Sequence, residues 1–524
     1  MGLVENIKNR FESLKNKPKK LDRLMIIVLS CIVLVIAFVV LLVSYSNIDT
    51  SDYLTSLLEF RNLILWGVFL VFGLFVILAI GRVKLEWVFL AVALSLGFLY
   101  MLTMTPLSIP DEPFHYVTSL HLSSTMMSPF SDNFTRASDF DFPCGFGHFN
   151  VPSGYIRLLN EGIQSTYSYT VPPRNLGYHT YPVQYLPQAI GVSLARLLGL
   201  NFLGLFYFGR FFNLLFFVLC GFFAIRALDE FKLPLLIIGI LPMTLHQAAS
   251  FSPDSFINGA SLLLIAYIIR FIYQKDDVRL RDIVIMACAA VLLAPAKTVY
   301  TFIVLLVFFA LPYKYGWKNA KGYLIAFGIF AIAVANIMLF NLLNLVSTLE
   351  PSDMEAWHGG VNYNVSFIIE HPWLTIWVFL NTIRVMGLNL FYGMFGHILS
   401  GLSLVLPLWY IYVFIFILFA SIFYGKKDSF VPSWPQRAWF AVICACVVLA
   451  RMLDMFLGWT PYGSPIILGL QGRYFIPILP LAALILRSKL KLNAALYPYI
   501  LIAAAICVHF LILRFVLDYT ISLL

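Results

Sequence analysis

Charge is what this chain has least of. Asp, Glu, Lys and Arg make up 12% of its 524 residues, where a soluble globular chain carries about 25%. With 61% hydrophobic residues and a mean hydropathy of +0.87, that shortage excludes a soluble fold and predicts a polytopic membrane protein. Cysteine is scarce as well. The seven, Cys31, Cys144, Cys220, Cys288, Cys444, Cys446 and Cys507, form no CxxC pair and no Cys/His metal spacing, and all but Cys144 sit in apolar runs. Neither a disulfide framework nor a zinc site is expected. A Walker loop, GxGxxG and GxSxG are all absent, which removes support for nucleotide-driven or serine-hydrolase chemistry. No internal repeat or low-complexity segment appears.

What the chain does have is apolar runs long enough, or nearly so, to cross a bilayer: 24–45, 62–81, 86–105, 202–228, 233–250, 255–273, 281–296, 298–313, 322–346, 403–424, 438–457, 474–488 and 494–517. The first is longer than a signal-peptide core and no small-residue cleavage site follows it, so it reads as a retained helix. The basic arm before it (Lys8, Arg10, Lys15, Lys17, Lys19, Lys20, Arg23) suits anionic lipid headgroups. With the N-terminus inside, the inner segments hold 24 of the 35 Lys and Arg residues, the bias that positive-inside topology demands. The net charge of +9 therefore reflects one membrane side and not a nucleic-acid partner. The expectation is an all-α polytopic fold of about thirteen transmembrane helices, N-terminus in and C-terminus out. It divides into a cytoplasmic arm (1–23), a transmembrane hairpin (24–85) and a transmembrane core (86–524) with outer loops 106–200 and 347–400. Residues 183–199 and 366–398 do not fit the charge alternation. The first reads as an amphipathic surface helix and the second as a peripheral or re-entrant outer helix.

Candidate chemistry gathers on the predicted outer face. Asp111 and Glu112, bracketed by Pro110 and Pro113, follow the third run, and His115 comes three residues later. Paired carboxylates at a membrane surface are costly unless they face water, a metal or a substrate, although an interfacial turn is the plainer alternative. Ser252-Pro253-Asp254 makes a sharp outer turn, where Asp254 would serve either as a helix cap or as a second acidic site. Lys297, where two runs meet, either snorkels to headgroups or binds a phosphate. In Gln471-Gly472-Arg473-Tyr474, Gly472 permits close backbone approach, Arg473 offers a fork for phosphate and Tyr474 a stacking face. Arg451 and Asp454 are spaced to pair with each other, and His246 reads as a bonded core histidine. Asp353, Glu355, His358 and His371 are spaced too irregularly for a ligand set and read as a solvated loop.

The order Pro-Asp-Glu-x-x-His (110–115), Ser-Pro-Asp-x-x-x-Asn (252–258), Lys-x-x-Tyr (297–300) and Gln-Gly-Arg-Tyr-Phe-x-Pro (471–477) resembles a bacterial membrane family filed as domain of unknown function 2142, over about residues 86–515. That family in turn resembles the GT-C glycosyltransferases. The acidic loop follows the third run here and not the first, so 24–81 looks like an added hairpin. The resemblance implies transfer of a sugar from a polyprenyl-phosphate carrier to a cell-envelope glycan, polymer or lipid acceptor, at the extracytoplasmic face of a bacterial plasma membrane. Asp111 would be the general base, with Glu112 and Asp254 as its catalytic companions. Arg473, Lys297 and Tyr474 would hold the donor phosphate, while His115, Tyr300 and Gln471 position substrate. The resemblance fixes no cofactor, because metal dependence varies across that superfamily. A divalent cation, Mg or Mn, would take Asp111, Glu112, His115 and Asp254 as ligands. Two rival classes remain open: a transporter or flippase for a lipid-linked or charged solute, and a non-catalytic partner of an envelope-polymer synthase.

Overall fold

Within a bilayer every backbone polar group needs a partner inside its own segment, so long apolar runs fold as helices. The computed structural model describes residues 53–127, 135–136, 170–171, 181–200, 202–274, 279–347, 360–426 and 428–522. The expected arm, the run 24–45, Cys144 and the Asp353/Glu355/His358 group lie outside the described residues. Helices α1 (Tyr53–Ile80) and α2 (Leu85–Thr103) form a hairpin, followed by α3 (Glu112–Met127), α4 (Leu186–Leu197), α5 (Phe202–Ala227), α6 (Lys232–Gly239), α7 (Pro242–Ala248) and α8 (Asp254–Tyr273). Then come α9 (Leu280–Ala296), α10 (Thr301–Val304), α11 (Val307–Tyr315), α12 (Ala320–Ser347), α13 (Val365–Glu370) and α14 (Pro372–Met394). The chain ends with α15 (Leu408–Ile422), α16 (Trp434–Gly458), α17 (Leu479–Leu486) and α18 (Tyr497–Ser522). Two-residue strand pairs, Thr135–Arg136 with Thr170–Val171 and Ile398–Leu399 with Leu404–Val405, are the strands among the described residues.

Nine described helices are long and apolar enough to cross a membrane, and Leu408–Ile422 and Gly472–Leu486 are shorter apolar helices. The run 233–250 is not one helix. Pro242 has no N–H to give, and the helix breaks at Ile240–Leu241. The Ile238 carbonyl, to which Pro242 can give no amide, accepts from the Thr244 hydroxyl. At the break the Ile240 carbonyl accepts from His509 Nε2 at 2.7 Å, and the other imidazole nitrogen bonds the Tyr100 hydroxyl. The run 298–313 likewise opens as a 3-10 turn, Thr298–Tyr300, before continuing as α10 and α11.

Contacts sort the helix ends into two groups. At one end Lys232 pairs with Glu86 at 3.0 Å, the Tyr499 hydroxyl donates to the Val83 carbonyl, Arg270 to that of Ala227 and Lys314 to that of Gln274. Arg487 closes this basic end by bonding Glu230 and the Phe430 carbonyl. At the other end lie Thr105–Glu112, Ser250–Asp254, Lys297–Tyr300 and Gln471–Tyr474. Both halves of helix α14 meet segments at this second end. Phe379 meets Phe456, the Thr382 hydroxyl accepts from the Ile467 amide, and Gly393 abuts Gly472. It is 23 residues long and apolar enough to cross, yet these contacts lay it along one end of the bundle, with Trp373 and Trp377 exposed. Helix α4 is turned inside out relative to a soluble helix. Gln188 and Arg196 are buried, Arg196 donating to the Ser123 and Ser124 hydroxyls, while Leu186, Ile190, Leu194 and Leu197 are exposed. Its exposed face is thus apolar, and its polar groups turn inward.

Candidate functional site

The loop after α2 is shaped by an ion pair with no solvent exposure on either partner. Arg210 of α5 grips both oxygens of Glu112, at 2.9 and 2.7 Å, and donates to the carbonyls of Met101, Met104 and Thr105. These carbonyls include ones left over at the α2 C-terminus, so one guanidinium satisfies a helix end and a carboxylate together. Glu112 Oε1 also accepts the Phe251 amide at 3.1 Å, which ties the 250–254 turn to the same clamp. Held this way, Asp111 adopts a left-handed backbone (φ 61°), as Leu107 does (φ 61°). Such conformations cost energy for non-glycine residues and persist where surrounding structure enforces them. The result aims the two adjacent acids apart. Glu112 is fully buried, while the Asp111 side chain is 62% exposed.

The second acidic site sits at the start of α8. Asp254 does not cap that helix with its side chain. Its own amide donates to the Ser252 hydroxyl at 3.2 Å, which frees the carboxylate. Oδ1 takes Lys297 at 2.6 Å, and Oδ2 faces Arg473 Nε at 3.3 Å. Arg473 also faces Asp111, 3.6 Å away, and donates to Gln247 Oε1. The Tyr474 ring lies among three cations, with Arg451 at 3.9 Å, Lys297 at 4.6 Å and Arg473 at 5.3 Å from its centroid. Tyr300 donates its hydroxyl to the Tyr474 carbonyl at 2.8 Å and so holds that turn in place.

These side chains line one pocket of about 360 Å³, bounded by Asp111, His115, Asp254, Lys297, Arg451, Asp454, Arg473 and Tyr474 together with Tyr181, Gln184, Tyr185 and Phe340. His115 Nδ1 bonds the Tyr185 hydroxyl at 2.9 Å. Burial, with help from Arg473 and Lys297 against the opposing pull of Asp254, lowers its pKa to about 3, so the ring is neutral at physiological pH.

The expected site residues separate on this geometry. Asp111, His115, Asp254, Lys297, Arg473 and Tyr474 meet in the pocket. Glu112 does not, which corrects its expected place beside the substrate, because both its oxygens are engaged by Arg210 and Phe251. Tyr300 and Gln471 do not line the pocket, and Tyr300 acts through Tyr474. The expected cation ligands are not assembled either. Asp111 faces Arg473, Glu112 binds Arg210, His115 binds Tyr185 and Asp254 binds Lys297. Among the described residues no group of three His, Cys, Asp or Glu gathers as a metal site. Arg451 does pair with Asp454, as its spacing predicts, but both also line the pocket. His246 is bonded in the core, its Nε2 accepting the Ser400 amide at 3.0 Å. Sequence reading missed Arg210, although an arginine within an apolar run is itself a signal that an acidic partner is near. It also missed Arg451 as a pocket residue, and the wall formed by Tyr181, Gln184 and Tyr185.

A bundle of apolar helices with a polar pocket at one end defines a multi-pass membrane protein. The family described as "Predicted membrane protein (DUF2142)" matches residues 94–482, and the chain belongs to that family. No protein of curated function and no solved structure matches the chain.

Proposed function

We propose that the protein is a membrane glycosyltransferase of GT-C type, moving a sugar from a polyprenyl-phosphate carrier to an envelope glycan, polymer or lipid acceptor. The observation that carries this reading is a solvent-open carboxylate, Asp111, sharing one pocket with Lys297, Arg451 and Arg473 at the end of an apolar bundle. In the proposed step an acceptor hydroxyl oxygen attacks the anomeric carbon and its proton passes to Asp111. The bond from the anomeric carbon to the carrier's phosphate oxygen breaks, and the polyprenyl phosphate leaves with the bonding pair, stabilised by Arg473 and Lys297. One attack implies inversion. Asp254 is a poor base because two cations hold it as a carboxylate, and His115 is too weak a base. The carrier's tail would lie beside the helices, among membrane lipids. By the positive-inside argument the pocket faces out of a bacterial plasma membrane and the N-terminus faces the cytoplasm. The count of thirteen crossings belongs to this proposal, with α14 lying at the surface.

The test is transfer by purified protein from a polyprenyl-phosphate sugar to extracted envelope polymer. Asp111→Asn keeps size and should cut turnover about 10²–10⁴-fold. Transfer at the parent rate by that variant would overturn the assignment. The break between α6 and α7 favours a second reading, since transporters build sites on discontinuous helices. Uptake of a labelled lipid-linked sugar into proteoliposomes, without any transfer product, would decide for it.

A further inference from the structure

Around Tyr474 stand the three cations. Among the other lining residues, His115, Tyr181, Gln184, Tyr185 and Phe340 form an uncharged part of the wall, since the imidazole is neutral. This wall is held by its own contacts. The Tyr181 and Phe340 rings meet edge to face at 5.5 Å, the Tyr181 hydroxyl accepts from the Asn336 amide at 3.0 Å, and Tyr185 is fixed by His115. Gln184 is the exception. It is 2% exposed and lines the pocket, yet its buried Oε1 has no hydrogen-bond partner. A buried amide oxygen without a donor is a position that a ligand completes.

We propose that this uncharged wall seats the transferred sugar, with Gln184 reading one of its hydroxyls, and that the sugar is a single neutral ring and neither a uronic acid nor an oligosaccharide. The inference rests on the transfer reading above. A hydroxyl both donates and accepts, so it satisfies either end of the Gln184 amide. The C–H face of a sugar packs on the flat Tyr181 and Phe340 rings. With Arg473 and Lys297 taken by the carrier's phosphate and Arg451 paired with Asp454, a carboxylate on the sugar would lose its hydration without a free cation to meet it, which is a heavy cost. At about 360 Å³ the pocket is near the lower end of ligand cavities, roughly 300–1,000 Å³, with room for one ring and a phosphate.

The experiment measures binding to the full chain in nanodiscs. The probes are farnesyl phosphate alone, farnesyl phosphate bearing glucose, galactose, mannose or N-acetylglucosamine, and farnesyl phosphoglucuronate. The best neutral sugar should bind about tenfold more tightly than farnesyl phosphate, and glucuronate should gain nothing. Gln184→Leu should remove about tenfold from the neutral sugar's affinity, the size of one lost hydrogen bond in a buried site. It should leave farnesyl phosphate unchanged, which also shows that the variant is folded. Glucuronate binding as tightly as the best neutral sugar, or Gln184→Leu behaving as the parent, would overturn this inference while the carrier site stands. Failure of farnesyl phosphate itself to bind would instead overturn the functional reading.

Discussion

Asp111 joins an exposed carboxylate to a left-handed backbone, and the two properties respond differently to substitution. Asparagine and glycine tolerate that backbone, whereas a β-branched residue does not. Asp111→Gly should therefore hold stability within about 1 kcal/mol of the parent while abolishing transfer. Asp111→Val should lose about 1–2 kcal/mol as well, read by thermal unfolding in detergent. Arg473 makes the complementary test. Lysine keeps its charge but loses the fork that reaches Asp111, Asp254 and Gln247 together. Arg473→Lys should weaken donor use about 10–100-fold and leave the acceptor's apparent affinity alone; equal donor use by both proteins would remove Arg473 from the carrier site. His115 sets a pH dependence. Its folded pKa of about 3 lies below the unfolded value near 6.5. The unfolded chain thus binds the extra proton, and stability is full above about pH 6.5 and falls as pH drops toward 3. Between pH 7 and pH 5 the parent should lose more thermal stability than His115→Gln, and parallel curves for the two would contradict the shift.

At the scale of elements, one ion pair fixes the geometry of two acidic turns. Glu112 and Arg210 connect α2, α3, α5 and the 250–254 turn. Removing one partner strands a buried charge, so Glu112→Leu and Arg210→Met should each cost about 3–5 kcal/mol. The double variant Glu112→Leu/Arg210→Met should recover much of that loss. Unfolding midpoints of the three proteins check it, and additive losses would mean that the pair is not coupled. Gly472 fixes a different junction. A methyl group there would overlap the Leu390 carbonyl oxygen and the Gly393–Met394 backbone. Gly472→Ala should cost about 1–3 kcal/mol by forcing α14 away from the Gln471–Tyr474 turn. The long helices and the four motifs were legible in the sequence because apolar run length and adjacent chemistry are local properties. Which of two neighbouring acids faces the pocket was not, because it depends on the backbone angle at position 111 and on an arginine 98 residues away. The run 233–250 gave the right polarity and the wrong continuity, since Pro242 was read as part of the run and not as its break. Gln184 counted in the sequence only as one of the polar residues that set 183–199 apart from a spanning run; its place in the pocket depends on the residues folded around it.

For the whole molecule, the two ends differ in charge and in closure. Lys318 lies in the α11–α12 connection at the basic end, with Lys321 in the first turn of α12, while Tyr462, 64% exposed, lies beyond α16 at the pocket end. Cysteines placed at Tyr462 and Lys318 should therefore react with a membrane-impermeant reagent from opposite sides. By the charge bias, Tyr462→Cys should label in intact cells and Lys318→Cys only after lysis. Labelling of both from one side would refute the bundle's arrangement in the membrane, and reversed labelling would turn the pocket toward the cytoplasm.

The break between α6 and α7 also bears on how the chain is made. The two helices have eight and seven residues, well short of the roughly 20 that enter hydrocarbon unaided. Their junction exposes backbone that lipid cannot satisfy. Emerging from the ribosome, this segment has to be sheltered by its neighbours until His509 reaches the Ile240 carbonyl, 269 residues later in synthesis. Insertion is thus completed from the far end of the chain. Polypeptides that stop short of α18 would present an unfinished segment to quality-control proteases, so only full-length molecules would accumulate in the membrane.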